Sequence, residues 1–309
     1  MKHLNVKMAV ILLLVIPVFM QAQMTAQQVT KSVQKAYHQQ IQGIDDITKK
    51  TNQGITYQKW IRKSGETIHK FRKEEDVNGK KQITIYDGQY YWTKNPYTQE
   101  VTRKEIEGNP EVFYQYLNLF DFAYAGKTTV NGKKCHTLKA EDIPLDEITN
   151  PTTGEKMIPP DAEGMDDATV DATLYIDRKN WVLVKGIFDA KGLQMQGRKR
   201  GGKSVMINKN FKKVKGLVIP YHSEYTMTID MTAEEKQKMK EARKSMKEMK
   251  EKMKNMSPAK REMMKEYMKP KMEKAQSMMM NGEIHREIKV EQIEVNTGLS
   301  DQLFDGSKL

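Results

Sequence analysis

The first periodic stretch of the chain, residues 25–42, has the pattern of a helix. Its apolar residues recur at four-residue spacing among glutamine, lysine and serine: Val29, Val33, Tyr37 and Ile41. This spacing places the four side chains on one face of an α-helix. The pattern therefore predicts an amphipathic helix that packs on the rest of the fold through that face.

From residue 55 onward the hydrophobic period changes to two, which is typical of β-strands. Turn residues such as Asn78-Gly79 and Asp87-Gly88 separate the alternating runs, and we expect Gly201-Gly202 to close a further hairpin. The runs with strand character are 55–62, 67–75, 81–86, 89–94, 99–106, 172–177, 181–189, 193–198, 204–213, 217–229 and 283–295. Short alternating runs in this order predict a mainly β protein with an antiparallel sheet. A second helix is expected at 110–122.

Residues 141–171 interrupt the strand pattern. They contain ten acidic residues against one lysine, together with four prolines. Proline and like-charge repulsion both oppose regular structure, so this segment is predicted to be a long acidic loop.

Residues 232–281 have the pattern of two helices inserted between the last two strands. Thr232 and Glu235 have the spacing of a capping box, and Ser257-Pro258 can start a second helix. The methionines of the first helix follow a/d spacing: Met239, Met246, Met249, Met253 and Met256. This predicts a Met/Lys-rich helical hairpin. Four interpretations of this hairpin compete: packing of the two methionine faces on each other, docking on an anionic membrane or a lipidated client, copper binding by thioethers, and nucleic-acid binding. Helix geometry already explains the methionine spacing and no Met/His cluster accompanies it, which disfavours copper.

The charge of the whole chain is concentrated in that hairpin. The 309 residues carry a net charge of +12 and 22 methionines. The hairpin alone has 15 Lys+Arg against 8 Asp+Glu, and 13 of the methionines lie between Met231 and Met280. The basic balance therefore describes one segment, and we expect no nucleic acid partner. A hydrophobic content of 38% excludes a disordered chain.

The N-terminus has the pattern of a secretory signal peptide. Two lysines precede an apolar run of about 13 residues, which is shorter than the ~20 that a spanning helix needs. We expect residues 1–22 to be removed by cleavage near Ala22 and the mature protein, 23–309, to be periplasmic.

No catalytic or metal-binding motif is recognisable in the sequence. None of the six histidines stands in H-x-H or H-E-x-x-H spacing, and no G-x-S-x-G is present. Cys135 follows an Asn131-Gly132 turn in a strand-like stretch, which favours a core position over a nucleophile. We therefore expect a protein that is not an enzyme and that has no cofactor and no metal.

Five segments together resemble the outer-membrane lipoprotein carrier family, the LolA/LolB-like periplasmic lipoprotein-sorting proteins. They are 85–92, 130–135, 174–181, 211–220 and 295–299, the last followed by Phe304. Together the five segments span most of residues 55–304. The resemblance implies an α+β fold that is mainly β: a half-open, curved antiparallel sheet (an unclosed barrel), with plug helices on its concave side. It also implies an apolar hollow for acyl chains, and an arginine, Arg62 or Arg72, that bonds carbonyls of the plug.

Alternating strand residues are the candidates for the wall of this hollow. They are Ile83, Ile85, Leu174, Ile176, Leu183, Ile187, Leu217, Ile219, Tyr221, Tyr225 and Met227. The expected function is a carrier that holds a lipid or the acyl part of a lipoprotein. The alternative is an envelope adaptor or stress-sensing protein that binds a protein partner through the Met-rich hairpin.

Overall fold

The computed structural model describes residues 24–309 except 64–65, 78, 106–116, 119, 149–166, 196–197 and 255–282. Thirteen strands form one antiparallel sheet in the order β6-β5-β4-β3-β2-β1-β13-β12-β11-β10-β9-β8-β7. The strands are β1 (Asp46–Thr51), β2 (Gly54–Lys63), β3 (Glu66–Val77), β4 (Lys80–Tyr86), β5 (Tyr90–Lys94), β6 (Val101–Glu105), β7 (Ala123–Val130), β8 (Lys133–Pro144), β9 (Thr169–Asp177), β10 (Leu183–Met195), β11 (Arg198–Val214), β12 (Leu217–Ile229) and β13 (Glu283–Val295). The edge strands β6 and β7 do not pair with each other, so the sheet stays open, as predicted.

Helix α1 (Ala26–Gln40) confirms the predicted N-terminal helix. A capping box starts it: the Thr25 hydroxyl accepts from the Gln28 backbone N–H over 3.2 Å, and the Gln28 side chain accepts from the Thr25 N–H over 2.9 Å. Val29 and Val33 are buried on its inner face. The second helix, α2 (Ala233–Lys254), lies between β12 and β13.

The sheet curves around helix α1. One hydrophobic cluster joins Val29 and Val33 of the helix to Leu138 of β8, and a second joins Ile41 to Trp60 of β2. Strands β2 and β8 are seven places apart in the sheet, about 34 Å if it were flat. The helix is only about 22 Å long. Contact of the helix with both strands therefore requires the sheet to wrap around the helix, which gives the sheet a concave face.

Cross-strand pairing assigns each residue to the concave or the convex face. Trp60 pairs with His69, and Gln58 pairs with Phe71, which pairs in turn with Tyr86. Paired residues of neighbouring strands project from the same side of a sheet. Since Trp60 packs beneath helix α1, this whole row belongs to the concave face.

The convex face is covered by the C-terminal tail. Two short 3-10 helices, Asp301–Phe304 and Gly306–Lys308, lie against β3 and β5. Phe304 is only 1% exposed. A side chain at position 306 would collide with the Trp92 ring, so only glycine fits there. The apolar tail after β13 is thus a cover for the convex side of the N-terminal strands.

The hairpin insertion begins as predicted. The Glu235 N–H donates to the Thr232 hydroxyl over 3.2 Å, and the Thr232 N–H donates to the Glu235 carboxylate over 2.9 Å. Arg200 of β11 binds the same carboxylate through both terminal nitrogens, at 2.9 and 2.6 Å. This pairing, followed by the Thr232 backbone contact, lowers the pKa of Glu235 to about 2. Helix α2 is thereby fixed to the sheet at its first turn.

Several predicted elements differ from the structure. Gly201-Gly202 lies inside the continuous strand β11 and closes no hairpin, because Gly202 pairs with Ala190 on one side and Ile229 on the other. Strand β1 was not expected, because Ile47 is its only strongly apolar residue. Strand β7 was missed for a similar reason: its sequence, AYAGKTTV, is mostly small and polar.

Four further expectations fall partly or wholly outside the described residues. Both ends of the predicted acidic loop are strand, since 141–144 continue β8 and 169–171 begin β9. Most of the predicted helix 110–122 lies outside the described residues, and its last described positions form a turn and the approach to β7. The signal peptide 1–22 and the second half of the hairpin also lie outside them.

Candidate functional site

A cavity of about 370 Å³ lies between helix α1 and the concave face. Its lining is mainly apolar and comes from the helix, from β1–β3 and from β10–β12. The lining residues are Val33, Tyr37, Gln40, Ile41, Ile47, Lys49, Gln58, Trp60, His69, Trp181, Val182, Leu183, Met206, Asn208, Phe211, Leu217, Val218, Ile219 and Pro220. A volume of this size is in the lower part of the range for small-molecule sites.

Aromatic rings form the wall on the N-terminal side of the cavity. Trp60 and His69 lie with ring centroids 5.1 Å apart, and His69 lies 6.2 Å from Phe71. The Trp60 indole nitrogen donates to the Tyr37 hydroxyl over 3.2 Å. This bond joins the wall to helix α1, and it satisfies the polar end of the indole while its ring faces the apolar space.

The opposite wall is aliphatic with one further tryptophan. Leu183, Met206, Leu217 and Ile219 supply its apolar surface. Trp181 lines the cavity and also stacks on His136 at 5.2 Å, with an interplanar angle of 15°. Two tryptophans, one from each half of the sheet, therefore face the same space.

Two amide side chains at the cavity, those of Gln40 and Asn208, are held by the fold. Asn208 donates to the Leu183 carbonyl over 3.0 Å and accepts from the Ser223 hydroxyl over 2.7 Å. Gln40 donates to the Asn180 carbonyl over 3.2 Å and accepts from the Val218 N–H over 3.1 Å. Because both amides have partners in the protein, neither requires a polar ligand.

Arg62 fastens the end of helix α1 to the sheet. Its Nη2 atom donates to the carbonyl oxygens of Ile41 and Ile44 over 2.7 and 2.8 Å, and Nη1 pairs with Asp45 over 3.0 Å. Ile41 lines the cavity. Arg72 instead donates to the Leu303 carbonyl on the convex face, over 3.3 Å. Of the two arginines considered from the sequence, only Arg62 binds the segment that covers the cavity.

The structure divides the eleven residues expected to form the hollow into four groups. Leu183, Leu217 and Ile219 line the cavity. Leu174 and Ile176 lie on the same face but are buried beneath α1, beside Val29 and Val33. The three residues farther along β12 share that face and lie outside the cavity: Tyr221, Tyr225 and Met227.

The fourth group of that prediction lies on the convex face and has to be corrected. Ile85 directly precedes Tyr86, which faces the concave side, so Ile85 projects to the convex side. Ile83, two residues before Ile85, projects to the convex side as well. Ile187 pairs with Val205, whereas the neighbouring pair, Gly186 and Met206, faces the cavity. Alternation identified the strands of this group, but it could not tell which face is concave.

Most of the lining was absent from the sequence prediction. Trp60, His69 and Trp181 were missed, as were the helix residues Tyr37 and Gln40. The four-residue stripe of the helix could have identified three lining residues, because Val33, Tyr37 and Ile41 of that stripe all line the cavity. The residues on β1–β3 carry no comparable sequence signal.

The methionines predicted to bind a partner or a membrane remain a prediction. Met239, Met246, Met249 and Met253 belong to helix α2, and Met256 lies outside the described residues. The expected core position of Cys135 is confirmed, since the residue is 0% exposed. Burial, followed by the nearby Asp177 carboxylate, raises the pKa of this thiol.

Among the described residues, one group of three side chains has the spacing of metal ligands. His222, Glu224 and Glu287 bring their ligand atoms within 4.8 Å of one another. They lie on the convex face, and both carboxylates are already paired: Glu224 with Lys209 at 2.7 Å and Glu287 with Lys289 at 2.9 Å. A cation would have to displace these lysines, so the group does not build a metal centre at the cavity.

No model of a known protein family matches the chain, and no curated protein matches it. Solved structures do resemble it. A DUF1329 family protein from Desulfovibrio piger has 14% identity and a TM-score of 0.46, with 92% of this chain and 97% of that chain covered. The LolA superfamily protein NE2245 from Nitrosomonas europaea has 11% identity and a TM-score of 0.38, with 93% and 100% covered.

A third similar structure is the lipoprotein LppX from Mycobacterium tuberculosis, with 14% identity, a TM-score of 0.26, and coverage of 52% of this chain and 87% of that one. The second of the three is a LolA superfamily protein, and the sequence segments resemble LolA/LolB-like proteins. Within the described part of the chain, no helix is long and apolar enough to cross a membrane.

Proposed function

We propose that the protein is an exported, periplasmic carrier of the outer-membrane lipoprotein-sorting type, which holds a lipid or the acyl part of a lipoprotein. The observation that supports this most is the apolar cavity of about 370 Å³ between helix α1 and the concave face. Its two tryptophans and its aliphatic wall suit a hydrocarbon chain, and the amides of Gln40 and Asn208 are bonded within the protein.

The energy of such binding comes from burial alone. Each methylene removed from water contributes about 0.8 kcal/mol, so ten buried methylenes would contribute about 8 kcal/mol before the cost of ordering the chain. No covalent step and no cofactor are needed. Release then requires a competing apolar site or movement of helix α1, which is joined to the sheet by Arg62.

The test is a mass spectrum of lipids extracted from the purified mature protein. We expect acyl species in near-stoichiometric amount. Protein without any acyl species, purified under conditions that retain lipids, would contradict the proposal. A chain beginning at residue 23 and one with the full N-terminus should be compared by N-terminal sequencing, with cleavage expected near Ala22.

A second candidate is an envelope adaptor or stress-sensing protein that binds a protein partner through the hairpin. The supporting observation is the firm attachment of α2, whose Glu235 is bound twice by Arg200. Strands β12 and β13 pair up to Thr228 and Glu283, so residues 232–281 can be replaced by a short turn without removing sheet pairs. If this variant keeps its lipid but loses cross-linking to one envelope protein, the adaptor function is supported beside the carrier function. If the protein holds no lipid and only the cross-link is observed, the adaptor replaces the carrier.

A further inference from the structure

Three turns at one end of the sheet carry a concentration of basic residues. The turns join β7 to β8, β9 to β10 and β11 to β12, and in this antiparallel order all three lie at the same end. Segments 131–134, 178–182 and 211–216 contain seven Lys or Arg residues and no Asp or Glu. We call these seven residues the basic rim: Lys133, Lys134, Arg178, Lys179, Lys212, Lys213 and Lys215.

Contacts bring the three turns together. The Arg178 N–H donates to the Lys134 carbonyl over 2.9 Å, which joins the first turn to the second. The Lys133 ammonium lies 4.7 Å from the centre of the Phe211 ring, which joins the first to the third. Gln40, at the end of helix α1, bonds Asn180 and Val218 and so connects the second and third turns to the helix.

Among the residues that the structure describes, one ion pair involves the basic rim. The three segments have one acidic neighbour along the chain, Asp177, which is buried at 4% exposure and lies 3.7 Å from Lys133. The remaining six basic residues are exposed, except that Lys212 also lies over the Tyr221 ring at 4.1 Å. The acidic segment 141–171 connects β8 to β9 and therefore leaves the sheet at the opposite end.

One end of the cavity lies at this same end of the sheet. Trp181, Val182 and Phe211 belong to the second and third segments, and they line the cavity together with Gln40. Cationic side chains around partly buried aromatic rings match the interfacial region of a bilayer, where aromatic rings lie at the level of the headgroups.

We propose that the basic rim docks the protein on the surface of an anionic phospholipid bilayer, with this end of the cavity towards the membrane. The proposal rests on the proposed carrier function, since the purpose of docking is the transfer of an acyl chain between bilayer and cavity. Docking itself depends only on the rim and can be measured without cargo.

The experiment is sedimentation of the mature protein with vesicles of phosphatidylcholine, with and without about 30% phosphatidylglycerol. The test variant is Lys212→Glu/Lys213→Glu/Lys215→Glu, none of which lines the cavity. The matched control is Lys236→Glu/Lys240→Glu/Lys244→Glu, three exposed lysines of helix α2 at the opposite end of β12. Both variants change the net charge equally. A milder Lys→Gln triple variant of the rim replaces the first if circular dichroism indicates misfolding.

We expect the wild type and the α2 variant to bind the anionic vesicles, and the rim variant to bind about a hundredfold more weakly, since each basic residue near an anionic surface changes partition about fivefold. Binding should weaken as salt is raised. Unchanged binding by the rim variant, or loss of binding in the α2 variant alone, would overturn the proposal. Titration of the same variants, delipidated, with a fluorescent acyl-chain probe tests the carrier function separately, because binding of a probe from solution does not depend on docking.

Discussion

The Nη2 atom of Arg62 donates to the carbonyl oxygen of Ile41 over 2.7 Å, joining strand β2 to the end of helix α1. Ile41 also lines the cavity. At this end of the helix a single guanidinium carries bonds to two carbonyls and one carboxylate, in addition to the bonds that Tyr37 and Gln40 make with the sheet. The stability of this contact sets how easily the helix end can move away from the sheet.

Replacement of Arg62 by Gln should loosen this end of the helix. Hydrogen bonds from a charged group contribute about 1.5–3 kcal/mol each before solvent screening, and Arg62 is partly exposed, so we expect a loss of about 1–2 kcal/mol in the free energy of unfolding. Faster amide exchange at 41–44 and stronger binding of an apolar dye should accompany it. Arg72→Gln is the control, because its bond to Leu303 lies on the convex face. An equal rise in dye binding for both variants would contradict the assignment.

The three tryptophans allow the cavity to be observed directly. Trp60 and Trp181 line it, whereas Trp92 lies on the convex face against Gly306. An acyl ligand should therefore change the fluorescence of a Trp92→Phe variant as it does that of the wild type. A Trp60→Phe/Trp181→Phe variant, in which only Trp92 emits, should show a spectrum that does not respond. A response from Trp92 alone would place the ligand on the other face.

Asp46 should make the protein less stable in acid. Its carboxylate is 2% exposed and accepts from Thr297, Gly298 and Leu299. Burial raises the pKa of Asp46, but these hydrogen bonds outweigh burial and hold it below its ordinary 3.8. Because the pKa of Asp46 is lower in the folded than in the unfolded protein, its carboxylate contributes to the free energy of unfolding. This contribution is complete above about pH 4 and is lost as the pH falls through the pKa of the folded protein.

The corresponding variant is Asp46→Asn. It should lower the free energy of unfolding by about 1–3 kcal/mol at about pH 7 and by clearly less at about pH 3, as measured by urea denaturation. The neighbouring Asp45→Asn, whose carboxylate is mostly exposed, serves as the control. A penalty for Asp46→Asn that does not change with pH would mean that the carboxylate charge plays no part.

The sequence allowed the sheet and its main helix to be predicted because both have strong periodicity. The four-residue stripe of α1 and the two-residue alternation of β12 each bury one side, and burial imposes the pattern. The sequence of strand β1 lacked this alternation because one of its cavity-lining residues is Lys49, which counts as a charged residue in the pattern. The capping box of Thr232 and Glu235 was predictable because it is local.

The cavity itself could not be predicted from alternation. Which face of a strand is concave depends on the pairing of distant strands, so Ile85 and Ile187 have the same local pattern as Leu217 but face the other way. The placement of Trp60 beneath Tyr37 likewise depends on how the whole sheet wraps around one helix. The closeness of the basic turns follows from strand order, which the separate charges of Lys133 and Lys212 do not reveal.

The most direct test of the account compares two tryptophan substitutions on opposite faces of the sheet. Ile219→Trp adds bulk inside the cavity, and Ile187→Trp adds the same kind of side chain on the convex face. The affinity of delipidated protein for a fluorescent acyl-chain probe is then measured by titration. We expect Ile219→Trp to weaken binding of the probe about tenfold or more and Ile187→Trp to leave it unchanged. Equal affinity in the wild type and both variants would contradict the claim that this cavity holds the acyl chain.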